Sequence, residues 1–213
     1  MIKTPKFRIY NGAESADPTI GMHRDRLRAN VSNTVLREAL GRFERFCEDE
    51  TAARRQYPWA ERFVMGFPLP AWQRPAVWSL DQKKRFIESI WAGVDIGSYM
   101  INDVWEFVGE GDDAPFRLHS EILLDGQQRL SAIQDYATDA FAISDAAGVP
   151  RLWSELPKIE RNRFCTTHFA CATIRSWDEE ELRLAYDLRA FGGTRHTEDQ
   201  RASPDAGIAM SGG

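Results

Sequence analysis

The chain has 213 residues, 43% of them hydrophobic, which suits one packed domain with terminal additions. Its net charge of −5 and pI near 5.5 exclude a histone-like polycation. The three cysteines, Cys47, Cys165 and Cys171, lack paired spacing, which excludes a disulfide framework and points to free thiols in a reducing compartment. No apolar stretch approaches the ~18 residues of a membrane span, and no apolar signal segment opens the chain, so a soluble cytoplasmic protein is expected. Arginines nevertheless cluster at 24–28, 42–45, 54–62 and 161–163. Such clusters suit contacts with nucleic acid as well as ordinary solvated helix faces.

Residues 1–31 are polar, with turn signals at Asn11-Gly12 and Asp17-Pro18, and read as an irregular arm. A helix is expected from Ser32 or Asn33 to about Ala53, with Leu36, Leu40, Phe43 and Cys47 on its apolar face. Residues 63–69 read as a short strand before a Pro-rich turn. Ser79-Leu80-Asp81-Gln82 is a capping box that opens a helix carrying Phe86, Ile87, Ile90 and Trp91, ended by Gly93. Two β-rich stretches, 99–108 and 117–124, predict an antiparallel pair around the acidic loop 109–115. A helix follows from Gln127 through Leu130, Ile133 and Tyr136. A strand at 140–143, a turn at 145–150, a helix at 156–163 and a strand at 164–174 come next. Asp178 caps a last helix that stops at Gly192-Gly193. Strands interleaved with helices, without regular βαβ spacing, predict an α+β fold with a small mixed sheet flanked by helices and an N-terminal helical extension. The expected organisation is an arm and helix at 1–60, the domain at 61–195, and a disordered tail at 196–213.

The chemistry concentrates at Ile122-Leu-Leu-Asp-Gly-Gln-Gln-Arg-Leu-Ser131. An apolar run stops at Asp125-Gly126, and a helix starts at Gln127. Free N–H groups and the positive end of the helix dipole meet there, which makes the turn a phosphate cradle. Asp125 at the strand tip is a candidate metal ligand or proton acceptor. Gly126 permits close backbone approach or a positive φ. Arg129 presents a planar fork to phosphate oxygens. The plainer reading is a capped strand–turn–helix with a solvated arginine.

Asp125-Gly126-Gln127-Gln128-Arg129 resembles the DGQQR signature of the N-terminal domain of GmrSD-type restriction enzymes, a branch of the ParB/sulfiredoxin superfamily. The block Pro68-Leu-Pro-Ala-Trp-Gln-Arg-Pro-Ala-Val-Trp-Ser79 is similar to the same family's P-x-x-Q-R-x-x-x-W motif. The resemblance implies a ParB/sulfiredoxin-like fold. It also implies a nucleotide (ATP or another NTP) with Mg2+, held by Gly126, Gln127, Gln128 and Arg129 and by Gln73 and Arg74. Free-serine kinases of that superfamily carry a similar D-G-x-x-R turn, and Asp125 and Arg129 match it position by position. A third block, around Tyr186–Thr197, is similar to the family's Asn-x-Gly-Gly-Thr segment but has Ala190 in place of the asparagine. Its Gly193 and Thr194 are candidates for closing over a phosphate, and Arg195 and His196 for meeting DNA or an acceptor. A plain helix C-cap is the alternative there.

Asp125, Arg129 and Glu121 are therefore the candidate catalytic residues, with Asp125 as the metal ligand. Asp103 is a second carboxylate of the flanking strands, and Arg74 a DNA contact. Three functions fit. The first is a phosphotransferase acting on a hydroxyl, such as a hydroxymethylated base in DNA. The second is an NTP-hydrolysing sensor or nuclease subunit of modification-dependent restriction. The third is a non-catalytic, nucleotide-switched DNA-binding module.

Overall fold

The computed structural model describes residues 19, 21, 27–111 and 114–191. A short strand, β1 (Asn30–Ser32), leads into α1 (Leu36–Glu48) and α2 (Glu50–Gln56). The single expected helix is thus broken at Asp49, whose carboxylate accepts from the Ala52 amide at 2.8 Å and caps the second piece. Residues 62–69 form a hairpin rather than one strand: β2 (Arg62–Val64) turns through Met65 and Gly66 into β3 (Phe67–Leu69). Both turn residues have positive φ, 51° and 75°, the backbone that tight hairpins demand. The capping box closes as expected, with Ser79 accepting from the Gln82 amide and the Gln82 side chain accepting from the Ser79 amide, and it starts α3 (Leu80–Trp91).

The expected antiparallel pair exists as β4 (Ser98–Asn102) and β5 (Leu123–Asp125), shorter than the apolar pattern suggested. Beyond Asn102 the two chains stay neighbours through an isolated bridge between Phe107 and Phe116. His119 and Glu121, at φ 73° and 52°, interrupt the pleat between them. Then come α4 (Gln127–Ala137), a small hairpin of β6 (Ile143–Ser144) and β7 (Pro150–Arg151), α5 (Lys158–Cys165), β8 (Ala170–Ile174) and α6 (Glu179–Phe191). Phe164 and Cys165, expected in the strand, close α5 instead, with Phe164 buried in the core.

The main sheet has the order β1-β8-β4-β5, with β4 and β8 parallel and the outer pairs antiparallel. The fold is accordingly α+β around a mixed sheet. Side chains alternate across that sheet with period two. Tyr99, Leu123 and Cys171 enter the larger core with α1, α3 and α4, while Met100, Leu124 and Ala172 pack with Leu182 and Ala185 of α6. Leu36 and Ala39 share the larger core with Leu130 and Ile133, so α1 is part of the domain rather than an appendage. Among the described residues no helix is long and apolar enough to cross a membrane.

Candidate functional site

β5 ends at Asp125, and Gly126 reverses the chain with φ 96° and ψ 4° into the N-terminus of α4. Only glycine fits there. A Cβ on Gly126 would stand 2.6 Å from Tyr99 Cβ and 3.1 Å from Tyr99 Cα, on the neighbouring strand. No side chain caps the helix, so its first-turn N–H groups face outward. Around this turn lies a pocket of about 290 Å³ lined by Gln73, Arg74, Trp78, the whole segment 124–129, Tyr186 and Arg189. The structure therefore brings the first two sequence blocks together.

Asp125 is held by two guanidiniums. Its Oδ2 accepts from Arg129 Nη2 at 3.1 Å and from Arg189 Nε at 3.1 Å. Arg129 also donates to the Ile96 carbonyl at 3.1 Å, and Arg189 to the Ser98 carbonyl and hydroxyl at 3.0 and 2.8 Å. Burial pulls the Arg129 guanidinium below its usual pKa, Asp125 opposes that shift, and the neighbouring Arg189 adds to it. A phosphate would relieve this crowding of positive charge.

The two glutamines bind the protein itself. Gln128 Oε1 accepts from the Val77 and Trp78 amides at 2.9 and 3.0 Å. The buried Gln127 amide, oriented to satisfy its neighbours, donates to the Arg74 carbonyl at 2.9 Å and accepts from the Ala76 amide at 3.3 Å. They staple the segment 74–78 to the start of α4 and so bring Arg74 to the pocket. Gln73 is 3% exposed. Its Nε2 donates to the Leu124 carbonyl at 3.3 Å, while its buried Oε1 has no partner. A donor in the pocket would satisfy it.

Glu121 is not part of this site. Its left-handed backbone turns the carboxylate toward α1, where it accepts from Arg42 Nη1 at 3.1 Å and from the Tyr57 hydroxyl. Burial alone would raise its pKa, but Arg42 and the hydrogen bonds hold it below the usual value. The pair ties α1 to the domain. Asp103 also lies elsewhere, in an exposed pair with Arg175 at 2.7 Å. Trp72 packs beneath α6 against Tyr186, and Trp78 against Phe86. Gly193, Thr194, Arg195 and His196 lie outside the described residues. Arg189 and Tyr186 were missed as site residues by sequence reasoning. Their signal was their place in the helix just ahead of the Gly-Gly block.

Among the described residues, Asp125 is the only carboxylate lining the pocket, and no group of three or more His, Cys, Asp or Glu suited to a metal occurs. That donor set does not form a metal cage. It fits a cation carried in on phosphates, which needs only one or two protein carboxylates.

A mixed α+β domain with a D-G-Q-Q-R turn stapled to a Q-R-P segment defines the class. The chain belongs to the GmrSD restriction endonuclease N-terminal domain family, whose model matches residues 60–201. No curated protein and no solved structure matches it. The membership connects the chain with restriction-endonuclease-related function, and so with enzymatic work on DNA.

Proposed function

We propose that the turn at 125–129 binds the phosphates of a nucleoside triphosphate, ATP or another NTP, and that the domain turns it over as the regulatory part of a DNA-restriction activity. The observation that supports this most is the carboxylate of Asp125 clamped between Arg129 and Arg189 at an uncapped helix N-terminus. A triphosphate offers those guanidiniums more charge than one carboxylate does, so they shift toward it, and the α4 amides add neutral donors. Asp125, released from the clamp, would then hold Mg2+ arriving with the phosphates, which would neutralise charge there. Arg74, at the rim, is the residue for the outer phosphate or for DNA.

This reading differs from phosphotransfer to a DNA hydroxyl in what Asp125 does. Phosphotransfer needs Asp125 to take the proton of an acceptor hydroxyl, whereas release of free phosphate needs it only to hold the cation. The test is incubation with γ-labelled ATP or GTP, Mg2+ and either plain or hydroxymethylated DNA. Free phosphate, increased by DNA, is expected. Label on DNA establishes the phosphotransferase instead, and nucleotide binding without turnover leaves a switched DNA-binding module. Failure to bind any nucleotide overturns the proposal.

A further inference from the structure

The pocket at the Asp125 turn is rich in hydrogen-bond donors: Arg74, Arg129 and Arg189 line it, beside the uncapped start of α4. Its acceptors are mostly engaged. Asp125 Oδ2 takes two guanidiniums, and Gln127 and Gln128 hold the segment 74–78. Gln73 differs, because its buried Oε1 has no partner.

Turning the amide over does not cure this. Gln73 Nε2 donates to the Leu124 carbonyl at 3.3 Å, and a turned amide would set oxygen against oxygen there. The residue is also pinned through its backbone. Its N–H donates to the Pro70 carbonyl at 3.0 Å, and its carbonyl accepts from Arg62 Nη2. A buried acceptor held in this way costs free energy until a donor meets it. The bond to Leu124 is longer than the common value of roughly 2.9–3.0 Å, and the last torsion of a glutamine is soft. A small swing therefore turns Oε1 to a ligand without losing that contact.

The chemistry of the missing partner is constrained. Phosphate oxygens are themselves acceptors and carry negative charge, so a polyphosphate alone would repel Oε1. A hydroxyl or an amine is needed. Leu124, whose carbonyl steers the amide, directly precedes Asp125 at the phosphate-binding turn. On a nucleotide the donors nearest the phosphates are the sugar hydroxyls, and the base lies further out. The pocket, at about 290 Å³, is at the small end of sites for whole ligands, which start at roughly 300 Å³. Triphosphate and sugar fill it and leave the base at its opening.

We infer that Gln73 is a specificity-determining residue that reads the sugar, its Oε1 accepting a hydrogen bond from a ribose hydroxyl and so selecting ribonucleotides over deoxyribonucleotides. This inference rests on the nucleotide reading given above.

The test is calorimetry on the full chain with Mg2+ and inorganic triphosphate, ATP, GTP, CTP and UTP, and the 2′-deoxy and 3′-deoxy analogue of each nucleotide that binds. The unaltered protein should bind a ribonucleotide about tenfold more tightly than one of its deoxy analogues, because the analogue leaves Oε1 buried without a partner. Which analogue loses affinity identifies the hydroxyl. Gln73→Leu should reduce that preference to within about twofold by weakening the ribonucleotide, while inorganic triphosphate binds as before. Triphosphate affinity and thermal melts show that the variant's turn is intact. Equal affinity for ribo and deoxy forms in the unaltered protein overturns the inference and leaves the proposed function standing. A preference among bases with none among sugars also overturns it, because the donor is then a base amine. Failure of every triphosphate to bind removes both.

Discussion

Arg189 Nε and Asp125 Oδ2 lie 3.1 Å apart although 64 residues separate them in the chain. The bond ties the last turns of α6 to the tip of β5, and it shares its acceptor with Arg129. A clamp of this kind holds two cations near one anion, and under the proposed function they exchange it for phosphate.

Arg189→Ala should therefore weaken nucleotide binding more than it weakens the fold. The Arg189 side chain is 33% exposed, so the pair is worth less than about 1 kcal/mol of stability. One charge-assisted bond to phosphate is worth roughly 1.5–3 kcal/mol, which is tenfold or more in affinity. Calorimetry with ATP and GTP alongside thermal melts reads both quantities. Unchanged affinity with an intact fold would remove Arg189 from the site.

Gly126→Ala addresses the turn itself. At φ 96° an alanine is strained, and its Cβ would stand 2.6 Å from Tyr99 Cβ, so β4 and β5 must part slightly. Strain of this kind costs on the order of 1–3 kcal/mol before the overlap is counted. A melting temperature lower by roughly 5–10 °C is the expected outcome. A melt within a degree of the parent would mean that the turn has another conformation.

How far the sequence could be read depended on how local each signal was. Ser79 and Gln82 satisfy each other within one turn, so the start of α3 was legible. Asp125 at a strand tip was legible too, because the apolar run and the glycine are adjacent. Glu121 was placed at the site only because its strand was expected to run unbroken. His119 and Glu121 are left-handed without being glycine, and nothing local announces that. Their place in the turn makes Gln127 and Gln128 look like ligand contacts, yet Gln128 bonds backbone some 50 residues earlier. Such distant pairings have no trace in spacing or composition.

Gln128→Ala should loosen the segment it staples. The Val77 and Trp78 amides lose their shared acceptor, at 2.9 and 3.0 Å, while the hydrophobic core is untouched. Losing bonds of this kind costs about 1–2 kcal/mol locally. Hydrogen exchange at those two amides should accelerate tenfold or more, with little change at β4 or β8. Equal protection in parent and variant would show that Gln128 does not hold the segment.

Glu121→Gln tests the pair that anchors α1. Burial pushes the Glu121 carboxyl up, but Arg42 and the bond from Tyr57 outweigh it, so its folded pKa lies below the ordinary 4.5. A depressed folded pKa contributes stability that is present above the unfolded value and lost as pH falls through the folded one. At neutral pH the variant leaves Arg42, with its side chain only 22% exposed, facing a neutral amide, at a cost on the order of 2 kcal/mol. The parent loses the same contribution in acid, once Glu121 takes up its proton. Burial holds the Tyr57 hydroxyl well above its ordinary value, so it contributes no slope in this range. Urea midpoints of parent and variant should then differ at pH 7 and converge as pH drops below about 4.5. A gap that stays constant down to pH 3 would show that the carboxylate's charge is not what holds α1 in place.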